Sequence, residues 1–206
     1  MHSTFKYQKN PNFPNRYISP KSLQNFLQEN LSDYITLIGT STLGEPIYQF
    51  SYGSGDIKVL AWSQMHGNES NSTHCMLDLW YSLESQPQLK EKLFQNISLD
   101  FIFMLNPDGS KVWSRRNSLD IDMNRDYLQN ASCEMKLLKE VAFSKKYDYA
   151  LNLHEQSTIF STDGNNPATL SFLAPSEDYD RTVTENRKKS MAVIASIYNV
   201  LRMQIP

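Results

Sequence analysis

His66 and Glu69 stand three residues apart in the segment HGNE, and a further histidine, His154, lies far downstream in LNLHE. Residues i and i+3 share one face of a tight turn or a first helical turn, so this imidazole and carboxylate can approach one cation. Two histidines and one carboxylate are a ligand set of catalytic zinc, with the fourth position left to water. The other common zinc patterns are excluded, because HExxH requires histidine at 158, where Thr158 stands, and HxxEH requires it at 70, where Ser70 stands. The two remaining histidines have poorer claims: His2 falls in a tail and His74 within a following helix. Taken alone, HxxE reads as a turn histidine followed by a solvated acid, and His154 reads as a strand-end histidine. Only the fold can bring the three together.

The order of elements supplies that fold. Ser19-Pro20 opens a helix over KSLQNFLQENL, with proline at the favoured first position. Three strands follow, YITLIGTS, EPIYQFSYG and IKVLAWSQM, with a turn at Leu43-Gly44-Glu45-Pro46. His66 comes directly after the third strand. The segment SNSTHCMLDLWYSLES then has helical spacing, with Cys75, Leu79 and Leu83 on one side, and LDFIFMLNP is a second apolar strand. An irregular stretch from Pro107 to about Asn130 leads to a helix near CEMKLLKEVAFSKK and a strand DYALNLHE. Segment ATLSFLAP is a further strand candidate, and a long helix runs from about Tyr179 to Met203. The alternation predicts a three-layer α/β/α sandwich around a mixed, mostly parallel sheet, in one domain over 1–206. Ligands of such sheets sit beyond the carboxyl ends of strands, where His66, Glu69 and His154 all fall.

Composition narrows the partners. The 206 residues carry a formal net charge of -2, which gives no electrostatic case for nucleic acid or an acidic membrane. No apolar run reaches the ~18 residues of a membrane span. The first residues, MHSTFKYQKNPNFPNRY, contain no apolar leader core, so the cytoplasm is the expected compartment and sequons such as Asn71-Ser72-Thr73 are chance matches. Cys75 and Cys133 both fall in helical segments and are expected to be buried free thiols.

With these motifs in place, the sequence resembles the zinc carboxypeptidase family, the carboxypeptidase A-like enzymes. Four signatures occur in family order: HGNE at 66–69, NPDG at 106–109, RRNSLDIDMNRDY at 115–127 and LNLHE at 151–155. The upstream IGTSTLGEPIYQF also fits. The resemblance implies one Zn2+ ion held by His66, Glu69 and His154. It further implies Arg115 as the arginine that polarises the scissile carbonyl, with Arg116 as its close competitor. Asn124 and Arg125 match the pair that binds the substrate's terminal carboxylate, and Asp122 matches the aspartate that orients the first zinc histidine. The implied substrate is a peptide or amidated small molecule with a free carboxylate, hydrolysed through a zinc-activated water. The chemistry agrees: a guanidinium fork suits a carboxylate, and a ligating histidine usually donates its other N–H to a second acceptor.

The match has gaps. The family's general-base glutamate, its mobile-loop tyrosine and its specificity-pocket residues come later than any match here, so the chain reads as C-terminally truncated, zinc-binding and nearly inert. Glu155 should face away from His154 while the strand continues, and Gln156 cannot act as a base. Asp126 stands where many relatives have asparagine, an added negative charge expected to weaken or retune carboxylate binding. Two other readings share these residues: an aspartoacylase or succinylglutamate desuccinylase-like amidohydrolase, against which NPDG and the R-x-N spacing argue, and a catalytically inactive zinc- or peptide-binding module.

Overall fold

The computed structural model describes residues 5–155 and 170–202. Where length suggests one domain, the backbone divides into two compact units, 1–156 and 157–206, and each is described by itself.

The first unit opens as its sequence dictates. Ser19 Oγ accepts the N–H of Ser22 at 3.0 Å and caps α1 (Pro20–Asn30), whose proline occupies a position that needs no intrahelical donor. Strands β1 (Ile35–Thr40) and β2 (Pro46–Tyr52) form a hairpin whose turn contains Gly44 at φ +86, a conformation glycine adopts without a Cβ clash. The chain continues through β3 (Ile57–Trp62), α2 (Asn71–Glu84), α3 (Pro87–Phe94), β4 (Ile97–Phe103), α4 (Pro107–Lys111), α5 (Cys133–Ser144) and β5 (Tyr149–Asn152). Helix α3 was absent from the sequence reading, and the stretch after Pro107 contains α4 and a 3-10 turn at Met123–Arg125.

The sheet order is β1-β2-β4-β3-β5. The β1–β2 and β2–β4 pairs are antiparallel, while β4–β3 and β3–β5 are parallel. The sheet is mixed as expected, with its described pairings evenly divided between the two senses. Alternate residues of the central strands feed two cores. Phe50, Ala61, Phe101 and Phe103 pack toward α1 and α2, through Leu27, Leu77 and Trp80. Ile47, Leu60 and Ile102 pack on the opposite side with Met135 and Leu138 of α5. This period-2 division makes three layers. Because β3 and β5 run parallel, both carboxyl ends lie on one edge, beside His66 and His154.

Two expectations about the helices need correction. The buried stripe of α2 runs through Thr73, Met76, Leu77, Trp80 and Leu83, which turns Cys75 outward; the thiol is free but exposed, and Cys133, at the first turn of α5, is only partly covered. In the second unit, α6 (Glu185–Leu201) starts at the Thr184 cap, whose hydroxyl accepts the N–H of Arg187, later than the residue 179 expected. The candidate strand at 168–175 is described only from residue 170, and 170–175 is not strand. No described helix is long and apolar enough to cross a membrane.

Candidate metal centre

The loop after β3 is set by backbone contacts. Gln64, at φ +49, turns the chain out of the sheet, and its buried amide donates to the carbonyl of Gly67 at 2.9 Å. Gly67 lies so close to the NPDG turn that a Cβ here would stand 2.1 Å from the carbonyl carbon of Gly109. The glycine of HGNE is therefore a requirement of close approach between two motif loops. The turn itself is capped by Asn106, which accepts the N–H of Gly109 at 2.8 Å and donates to the carbonyl of Arg115 at 3.3 Å.

His66, Glu69 and His154 converge. Nδ1 of His66 lies 2.7 Å from Oε1 of Glu69, and Nδ1 of His154 lies 2.8 Å from Oε2 of the same carboxylate. One ligand atom from each residue falls within 4.8 Å of the others. The rings stand 4.7 Å apart, inclined by 34°. His66 and Glu69 are buried and His154 is exposed. β5 ends at Asn152, so His154 sits just past the strand, where Leu153 still donates to the carbonyl of Trp62.

Burial pushes the Glu69 carboxyl up, but hydrogen bonds with His154 and His66, the N–H of Glu155 and the charge of His66 outweigh it and lower the pKa to about 2. Glu69 is therefore a carboxylate at neutral pH. Two imidazole nitrogens and an anionic oxygen gathered this closely fit a divalent cation, which satisfies all three lone pairs at once. His66 Nε2 lies 3.0 Å from Oδ1 of Asp122, a partner that fixes the proton on Nε2 and leaves Nδ1 for a metal. Burial opposes ionisation of Asp122 as well, yet its contacts with His66, Arg115 and the Asn124 N–H lower its pKa.

The other sequence candidates border this cluster. Arg115 Nη1 donates to Oε1 of Glu69 at 3.3 Å, and its Nε donates to Oδ2 of Asp122 at 3.2 Å. Arg116 instead donates to the Asp120 carbonyl at 2.8 Å, away from the cluster. Asn124 accepts from Asn152 Nδ2 at 3.4 Å, which ties the 122–125 turn to the end of β5. Arg125 is exposed, and its guanidinium donates only to the carbonyl of Asn124 among the described residues. His74 stays outside, its Nε2 3.0 Å from the carbonyl of Arg16, and His2 lies outside the described residues.

Two acids depart from expectation. Asp126 is buried and accepts the N–H groups of Ala131 and Ser132, each at 2.9 Å, and the Ser132 hydroxyl at 2.7 Å. Burial pushes its pKa up, but these bonds outweigh it and bring the pKa below the ordinary value, so its charge is spent at the start of α5 and not beside Arg125. Glu155 pairs with Arg16 and accepts the N–H of Asn71 at 3.3 Å, and its own N–H donates to Glu69 at 3.1 Å. Because β5 has ended, strand alternation does not orient Glu155; its partners do.

Sequence reasoning missed the residues that hold the 115–125 loop. Buried Asp108 accepts from the hydroxyls of Ser41 at 2.6 Å and Ser118 at 2.9 Å, and from the N–H of Leu43 at 3.0 Å. Glu134, fully buried, accepts from Asn117 Nδ2 at 3.2 Å and from the Thr42 N–H at 3.0 Å. Asp108 had a signal within NPDG, whereas Glu134 reads as an ordinary acid in the first turn of a helix.

Known proteins share both pattern and fold. The family described as zinc carboxypeptidase matches residues 21–159. Carboxypeptidase 2 of Trichophyton rubrum is 29% identical over 100 residues, 48% of this chain and 19% of that protein, so the chain spans about a fifth of the relative's length where they match. A metallo-carboxypeptidase from Burkholderia cenocepacia superposes with a TM-score of 0.58 at 20% identity, covering 68% of this chain and 42% of that one. The Pseudomonas aeruginosa metallo-carboxypeptidase, in complex with (2-guanidinoethylmercapto)succinic acid, gives 0.55 at 19% identity, covering 68% and 40%. With the match over 21–159 enclosing all three converging side chains, the chain belongs to the zinc carboxypeptidase family.

Proposed function

We propose that these residues form the zinc and carboxylate-binding site of a metallocarboxypeptidase, which hydrolyses the bond before a free C-terminal residue. The observation that carries this reading is the convergence of two imidazole Nδ1 atoms on the Glu69 carboxylate, with Arg115 beside it. When bound there, zinc lowers the pKa of its water to about 7 and polarises a carbonyl. Asp122 holds the His66 ring and the Arg115 guanidinium in place. Arg115, about half exposed, offers N–H donors where negative charge develops on the scissile carbonyl. Asn124 and exposed Arg125 take the terminal carboxylate, a task suited to a planar guanidinium with no acidic partner among the described residues. The succinic acid derivative bound by the Pseudomonas aeruginosa relative supports a carboxylate-bearing ligand.

Glu155, next to His154 in sequence, is committed to Arg16 and the Asn71 N–H. It is not poised as a base, and a positioned base contributes roughly 10² to 10⁴ in rate.

Calorimetric titration of the zinc-loaded chain tests the reading. An N-acetylated dipeptide with a free carboxylate should bind, its C-terminal amide should not, and Arg125→Ala should weaken the acid by about tenfold to a hundredfold. Equal binding of acid and amide would refute it. Preferential cleavage of N-acetylaspartate would favour the amidohydrolase alternative.

A further inference from the structure

Two segments run past the metal centre and meet at both of its ends. In the loop after α4, Trp113, Arg115 and Asn124 follow in order; in the segment after β5, the order is Asn152, His154 and Glu155. At one end Asn152 donates to Asn124. In the middle His154 and Arg115 both contact Glu69. At the other end Glu155 pairs with Arg16, whose guanidinium carbon lies 5.6 Å from the centre of the Trp113 ring. A substrate whose terminal carboxylate lies at Asn124 and Arg125 thus has its scissile bond at the metal ligands, and its preceding residues extend toward Arg16 and Trp113.

That far end is aromatic and exposed. Trp113 and Tyr17 meet edge to face at 5.8 Å and an angle of 67°, yet keep 40% and 44% of their surfaces open. Trp113 adopts φ +55, a left-handed conformation costly for a bulky residue, and its N–H is tied to the carbonyl of Ser110 at 3.1 Å. The backbone beneath the ring is therefore held before any ligand arrives, and the indole stands partly open beside Tyr17. Arg16 is paired with Glu155, and its guanidinium lies within cation–π range of the indole, so the surface offers π faces and a paired cation, with little net charge.

We infer that Tyr17 and Trp113, with Arg16 paired to Glu155 beside the indole, form a specificity subsite for an aromatic side chain upstream of the scissile bond. This inference rests on the metallocarboxypeptidase reading. Arg16 links the Trp113 ring to the segment bearing His154.

The test uses the zinc-loaded 206-residue chain and three N-acetylated tripeptides with a free C-terminus. A phosphonamidate replaces the last peptide bond, and the peptides differ only in a first residue of phenylalanine, glycine or aspartate. The phenylalanine peptide should bind roughly tenfold tighter, the scale of a well-formed aromatic contact. Trp113→Ala and Tyr17→Ala should bring that ratio near one while zinc content and the glycine peptide's affinity hold. Trp113→Phe should preserve most of the ratio, which separates loss of the ring from loss of the fold. Equal affinities in the unaltered chain, or a ratio unchanged by Trp113→Ala, would overturn the subsite. So would tighter binding of an aspartate peptide that Arg16→Ala abolishes. If the underlying reading fails, the glycine peptide binds no better than its own C-terminal amide, and the subsite falls with it.

Discussion

Asp122 Oδ1 lies 3.0 Å from Nε2 of His66, the nitrogen opposite the one that faces Glu69. In the proposed site this contact would select the tautomer that leaves Nδ1 for zinc, while the other oxygen of Asp122 accepts from Arg115. Asp122→Ala should therefore weaken zinc binding about 10- to 100-fold, the usual effect of removing such a partner. Competition with a zinc-sensitive chelating dye measures it. An affinity equal to that of the unaltered chain would remove Asp122 from the site's design.

Gly67 faces the backbone of Gly109 too closely for any side chain. Gly67→Ala should cost about 1–3 kcal/mol of stability, the range of an overpacked buried site, because the obstacle is backbone that cannot rotate aside. Urea unfolding reads the loss, and a change below about 0.5 kcal/mol would show that the two motif loops move apart easily.

Asp126 separates two accounts of the NRDY motif. The sequence alone placed its charge beside Asn124 and Arg125, the pair proposed to bind the carboxylate, but its oxygens are filled by Ala131 and Ser132. Asp126→Asn should lower stability by about 1–3 kcal/mol, since an amide cannot accept with both ends of its side chain. Affinity for a free C-terminal carboxylate should stay within about twofold when zinc is saturating. A marked gain in that affinity without loss of stability would restore the electrostatic account.

Buried Asp100 gives the chain an acid-sensitive point. Burial raises its pKa, but hydrogen bonds with Lys145, Tyr147 and Ser51 and the charge of Lys145 bring it below the ordinary 3.8. A carboxyl whose folded pKa is depressed stabilises the fold above the unfolded value and loses that contribution as pH falls through the folded value. Asp100→Asn should thus destabilise the protein at pH 6–7, and its deficit should shrink below about pH 4. Denaturation at a series of pH values follows the difference, and a deficit that grows in acid would reverse the assignment.

The strands and their carboxyl-end loops were legible because β-branched and aromatic runs, proline at a helix start and glycine at a turn each act locally. The triad was legible because HGNE sits directly after one strand and His154 just past another. The outward turn of Cys75 was not legible, because Cys75, Leu79 and Leu83 also have helical spacing and only the sheet decides which stripe of α2 it covers. Asp126, Glu155 and Glu134 were opaque for a related reason. Each is an acid in a polar segment, and its role depends on which N–H groups, hydroxyls or guanidinium distant chain segments bring to it.

Metal analysis of the unaltered chain beside His66→Ala, Glu69→Ala and His154→Ala tests the central claim most directly. One zinc per folded chain, retained through dialysis and lost from each variant while circular dichroism stays unchanged, is the predicted result. Unchanged zinc content in the His66 or His154 variant would contradict it.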